Sequence, residues 1–153
     1  MKRAQHLAGT LAGVLGGDPW YGSAINPLLT GVTAVAAAAR PLEQTHTIWE
    51  IIRHMDAWNR VCLRRLAGEA IAEPPEDFPI PESVTPAAWQ QDRMSLNESC
   101  RELIAKTSRL SGAELATTVA GKTYSIDYLI EGAGQHWIYH AGQIALLRRA
   151  LKS

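Results

Sequence analysis

The sequence predicts an all-α protein, a bundle of four main helices, and three observations carry that expectation. Apolar residues recur at three- and four-residue steps over long stretches, the pattern of helices that bury one face against a shared core. A helix-start signal, Thr47 followed by Glu50, stands directly ahead of the most regular of these stretches. No series of alternating segments follows that would build a sheet, so long helices joined by loops leave a bundle as the architecture.

Taken in order, residues 2–15 form a first, weakly amphipathic helix, which "GGDPWYG" at 16–22 interrupts. Gln5, His6 and Thr10 break the apolar character behind the basic start, so this stretch reads as a helix rather than an export signal. Short helical pieces follow in "SAINPLLTGV" and "VAAAARPL", the second closed at Arg40-Pro41 because proline restricts the residue before it. From Thr47 onward, Ile48, Ile51, Ile52, Met55, Trp58, Cys62 and Leu66 make one stripe, and Gly68 ends the helix. The loop at 73–86 carries five prolines and reads as rigid and polar, outside the core. A third long helix spans about 87–110 with a less regular apolar set, Trp89, Met94, Leu96, Leu103, Ile104 and Leu110. Alternating β-branched residues around Gly121 predict a small extended segment near 117–124. Ser125 then caps a last helix running to about 151, where Arg148 and Arg149 complement the helix dipole.

Size and composition fit one domain over residues 1–153. Hydrophobic residues make up 46% and charged residues 20% of the chain, ordinary for a soluble globular protein. Fifteen basic residues balance fifteen acidic ones, which argues against a nucleic-acid partner. The longest apolar run, "AVAAAA" at 34–39, is far too short to span a membrane. Cys62 and Cys100 are widely separated, with no CxxC spacing; they read as reduced core thiols, hence a cytoplasmic location.

The last helix poses the functional question. Ile126, Leu129, Ile130, Ala133, Trp137, Ile144, Leu147 and Leu151 project to one side, and His136 and His140 fall inside that stripe. At i, i+4 the two rings stack one turn apart and can converge on a single ion. The spacing alone is more often that of two core histidines satisfied by hydrogen bonds. A third donor would decide between them, and His54, at the edge of the stripe beside Trp58 and Val61, is the candidate. Gln143 flanks the same surface as His140. Glu50, one turn before His54, is either a ligand, an outer acceptor or simply the capping partner of Thr47, the last being favoured. Trp58 and Trp137, adjacent to these histidines, are the expected pocket walls; Trp20, Trp49, Trp89, Tyr21 and Tyr139 read as core or dimer-interface residues. His46 belongs to the entry loop, and His6 has no assigned role.

Catalytic residues beyond these are not visible in the sequence. Trp137, Ile138 and Tyr139 separate the histidine pair, so the glutamate of an HExxH motif is absent. Asp56, Asp127 and Glu131 project away from the histidine face, and no Ser-His-Asp set or glycine-rich phosphate loop is present. Chemistry at this site would rest on a metal-activated water or on a thiolate brought by a cosubstrate.

The stretches "THTIWEIIRHMDAW" at 45–58 and "GQHWIYHAGQIALLRRAL" at 134–151 resemble the two signature segments of the DinB family, also described as DinB/YfiT-like metalloenzymes. "DPWYG", "ARPL" and the proline-rich loop agree in order and separation, so the resemblance covers essentially the whole chain. It implies a four-helix bundle with up-down-down-up connection, commonly dimeric, and a three-histidine divalent metal site at one end. By position, the ligands it implies are His54, His136 and His140. Similar proteins include transferases that join a low-molecular-weight thiol such as bacillithiol or mycothiol to small electrophiles, alongside hydrolases and isomerases. Imidazole ligands suit zinc, nickel, copper or iron; zinc or nickel is the expectation here. Three readings therefore stand: a metal-dependent thiol transferase or hydrolase, a non-catalytic metal- or ligand-binding bundle for sensing or stress response, and a structural dimer without an ion.

Overall fold

Side-chain caps mark where the helices begin. The computed structural model describes residues 2–152, and its helices in chain order are α1 (Lys2–Gly16), α2 (Ile25–Leu29), α3 (Ala34–Ala38), α4 (Ile48–Leu66), α5 (Pro86–Arg109), α6 (Gly112–Ala116) and α7 (Ile126–Ala150). At α4 the capping box is complete: the Glu50 N–H donates to Thr47 Oγ1 at 3.1 Å, and the Thr47 N–H donates to Glu50 Oε2 at 2.6 Å. Thr85 caps α5, with Pro86 in the first turn where its missing N–H is harmless, and Ser125 caps α7. At the other end of α4, Gly68 takes a left-handed φ of 87°. The N–H groups of Gly68 and Glu69 donate to the carbonyls of Arg65 and Arg64, a Schellman closure that glycine permits.

The four long helices close into a ring in which α1 packs on α5, α5 on α4, α4 on α7 and α7 on α1. Among the described residues the fold is helical, with no named strand. The core is continuous through the ring: Leu11 and Val14 from α1, Ile51, Ile52 and Met55 from α4, Leu96 and Leu103 from α5, and Ile130, Trp137 and Ile144 from α7 are all buried. Among the described residues no helix is long and apolar enough to cross a membrane. Arg3 ties the start of α1 to α7, reaching Asp127 at 2.6 Å and also Glu131. These are two of the three carboxylates that helical projection turns away from the histidines.

Two expectations are corrected. Met94 is 57% exposed; the buried face of α5 instead steps through Trp89, Leu96, Cys100, Leu103 and Thr107, a three- and four-residue series that Met94 does not join. The small extended segment near 117–124 is a single antiparallel bridge, Thr118 to Ser125, around a turn with Gly121 at φ 71°. The residues just ahead of it are helical, because Ser111 and Glu114 form a second capping box that starts α6.

Candidate metal centre

α4 and α7 pack side by side, and that contact brings the three histidines together. One ring nitrogen from each of His54, His136 and His140 lies within 4.8 Å of the others. The Nε2 atoms of His54 and His136 are 2.8 Å apart. The ring of His140 lies 4.6 Å from that of His54 and 4.5 Å from that of His136, centroid to centroid.

The outer nitrogens fix which side of two rings faces inward. His54 Nδ1 meets the Asp77 carbonyl oxygen at 2.8 Å and Asp77 Oδ1 at 3.0 Å. Both partners are acceptors, so Nδ1 carries a proton and Nε2 is the nitrogen turned towards the other two histidines. His140 Nδ1 lies 2.6 Å from Gln143 Oε1, and donation to that oxygen leaves its Nε2 as the free acceptor. Burial pushes His136 down to about 3, the nearby His140 and His54 adding to the effect. Burial likewise pushes His140 down to about 4, against the opposing hydrogen bond from Gln143. Both rings are therefore neutral at physiological pH, the form that binds metal.

The loop between α4 and α5 covers this cluster. Phe78 stacks on His54 with centroids 3.9 Å apart and on His46 at 3.6 Å, so it lies sandwiched between two imidazoles. Trp58 Nε1 donates to Asp77 Oδ1 at 2.8 Å, and Arg53 donates to the Ile80 carbonyl. Asp77 and Phe78 are the site residues that sequence reasoning missed. The available signal was composition: Phe78 is the single phenylalanine of the chain, set in an otherwise polar, proline-rich loop.

A cavity of about 530 Å³ opens beside the histidines. Trp58, Phe78, Tyr124, Tyr128, Leu129 and Tyr139 give it aromatic and apolar walls, the usual character of a small-molecule site. Trp58 is thus a wall residue. Trp137 is not: it is fully buried and donates from Nε1 to Asn59 Oδ1 at 2.7 Å, inside the core. Glu50 also stays off the wall, committed to Thr47 and to Arg40 at 3.0 Å. Gln143 acts through His140 rather than lining the cavity. Cys62 does line it, but burial pushes its thiol up to about 11 and that of Cys100 up to about 12. Both stay protonated and neither offers a thiolate.

A family model described as the DinB superfamily matches residues 22–144, a stretch that contains all three histidines. The chain belongs to the DinB superfamily. No curated protein matches it, and no solved structure does. The helical ring agrees with the bundle fold of the superfamily. Within this DinB-superfamily chain the donor set could hold a metal ion: three imidazoles, two with their outer nitrogens held by oxygen acceptors. His54 Nε2 and His136 Nε2, at 2.8 Å, form an N–H···N hydrogen bond when one of them carries a proton, and a cation could take that proton's place between two free lone pairs.

Proposed function

We propose that this protein is a metal-dependent enzyme acting on a small molecule, with His54, His136 and His140 holding one divalent ion, zinc or nickel, and a thiol or water as nucleophile. The observation that carries the reading is the three-histidine cluster on the wall of an apolar cavity. When bound, such an ion supplies Lewis acidity that draws the pKa of a thiol or water towards neutrality. The chain supplies the remainder. Gln143 and Asp77 hold His140 and His54 with their Nε2 lone pairs free, and burial keeps His136 and His140 unprotonated. The aromatic walls exclude water and position an apolar substrate. Asp77, the one carboxylate on the cavity wall among the described residues, is placed to accept the proton the nucleophile gives up.

A low-molecular-weight thiol is the favoured nucleophile, because a thiol is acidic enough to ionise without a strong protein base. We further place the protein as a cytoplasmic homodimer. Cys62 and Cys100 are both free, as thiols are in a reducing compartment, and Trp20 and Tyr21 expose aromatic surface suited to a partner copy.

A second reading, a non-catalytic metal- or ligand-binding module, draws support from one observation. The Asp77 carboxylate is already engaged by Trp58 and His54. The test is consumption of a thiol with the model electrophile 1-chloro-2,4-dinitrobenzene, using chelator-treated protein reloaded with zinc or nickel. The enzyme reading expects turnover that His136→Ala abolishes. Metal binding with neither thiol transfer nor hydrolysis selects the binding module.

A further inference from the structure

We infer that the far end of the cavity is an anion subsite built on Arg65, and that the small molecule this protein takes is amphiphilic, an apolar body ending in a carboxylate. The inference rests on the proposed function only in taking the cavity as the substrate chamber.

α4 supplies one wall of that chamber. His54, Trp58, Cys62 and Arg65 all line it, and their steps of four, four and three residues keep them on one helix face. Eleven residues of helix separate His54 from Arg65 by about 16 Å, so the two mark opposite ends of an elongated space. Trp58 connects them. Its ring lies 6.4 Å from the rings of His54 and of His136, and the Arg65 guanidinium carbon sits 5.9 Å from the indole centroid.

Arg65 is 6% exposed. Its Nε donates to the Ile71 carbonyl at 3.1 Å, one terminal nitrogen donates to the Tyr124 hydroxyl at 3.1 Å, and the other donates to the Ala72 carbonyl. Every one of these acceptors is neutral. Among the described residues no aspartate or glutamate pairs with Arg65, whereas its exposed neighbour Arg64 pairs with Glu69 at 2.6 Å. A buried cation without a counter-charge is unfavourable. Three contacts also leave two of the five guanidinium N–H groups uncommitted, one on each terminal nitrogen.

A single uncompensated positive charge with two spare donors matches the charge and the two oxygens of a carboxylate. The path from that point to the histidines runs along Trp58, Tyr124 and Tyr128, the two tyrosines with ring centroids 5.3 Å apart. An apolar or aromatic body fits there. The reacting end of the molecule then lies at the histidines, with its anion at Arg65. Holding Ile71, Ala72 and Tyr124 explains the three hydrogen bonds of Arg65 but not the choice of a buried charge to make them.

The experiment compares 6-phenylhexanoate with the neutral 6-phenylhexanamide, titrated calorimetrically into chelator-treated full-length protein so that neither probe can bind through a metal. The expected result is tighter binding of the carboxylate by about ten- to hundredfold, and loss of that preference in Arg65→Gln with amide binding unchanged. Should Arg65→Gln fail to fold, the Arg65 Nε–H resonance of the wild-type protein serves instead, shifting with the carboxylate and staying put with the amide. Equal binding of both probes, binding of neither, a preference that survives Arg65→Gln, or an unmoved resonance overturns the proposal. Zinc titration of the same protein reports separately on the metal reading, so one can fail while the other stands.

Discussion

His54 Nε2 and His136 Nε2 lie 2.8 Å apart although 82 residues separate them in the chain. The contact is made by the packing of α4 against α7, and it places the two ring nitrogens at hydrogen-bond distance. His140 joins them from the next turn of α7, and the loop residue Asp77 backs His54 from outside.

The residues behind the rings carry the first prediction. Gln143→Leu removes the acceptor held by His140 Nδ1 and leaves the three imidazoles in place. Zinc affinity, measured by competition with a chromophoric chelator, is expected to fall by about ten- to hundredfold. An unchanged affinity shows that Gln143 does not orient the ring.

Stability of the chelator-treated protein depends on pH in a stated direction. His136 and His140 are held down to about 3 and about 4 in the fold, against about 6.5 in an unfolded chain. The unfolded state therefore binds more protons between these values. The stabilisation is complete above about 6.5 and is lost as pH falls towards 4. The urea midpoint should accordingly drop from pH 7.5 to pH 5, and His136→Gln with His140→Gln should flatten that slope. A midpoint that holds or rises over this range contradicts the neutral, buried state of the rings.

Glu50 separates a structural from a ligand role. Its carboxylate closes the α4 cap and meets Arg40 at 3.0 Å. Thr47→Ala is expected to lower stability by about 1 kcal/mol through loss of the cap. Glu50→Gln should lower it as well, with zinc affinity unchanged. A large fall in zinc affinity on Glu50→Gln makes it a ligand instead.

Much of this was legible beforehand because it is local. The α4 cap, the α4 stripe and the His136–His140 pair all follow from three- and four-residue spacing, which one helix enforces by itself. Trp137 shows where projection was over-read: it shares the stripe of Ile130 and Ile144 and is fully buried with them, so it belongs to the core and not to the cavity. The loop residues were out of reach for another reason. Asp77 meets His54 across 23 residues, and neither polarity nor proline content says which way such a loop returns. Phe78, stacked between His46 and His54, depends on the same return path. Nothing in the spacing sets Arg65 apart from Arg64; the path of residues 71–72 and Tyr124 across it makes it buried.

The two cysteines test the packing of the ring independently. Burial raises both thiols, Cys62 to about 11 and Cys100 to about 12. At pH 8 neither should react with a disulfide reagent in the folded protein, and both should react on unfolding. Fast labelling of the native protein contradicts the burial described for them.

The most direct test of the central claim is metal content. Chelator-treated protein is dialysed against zinc or nickel, washed free of loose ion and assayed by elemental analysis, for the wild type and for His136→Ala. The account predicts about one ion per chain in the wild type and essentially none in the variant of unaltered helical content. A wild type that retains no ion, or a variant that retains as much, contradicts it.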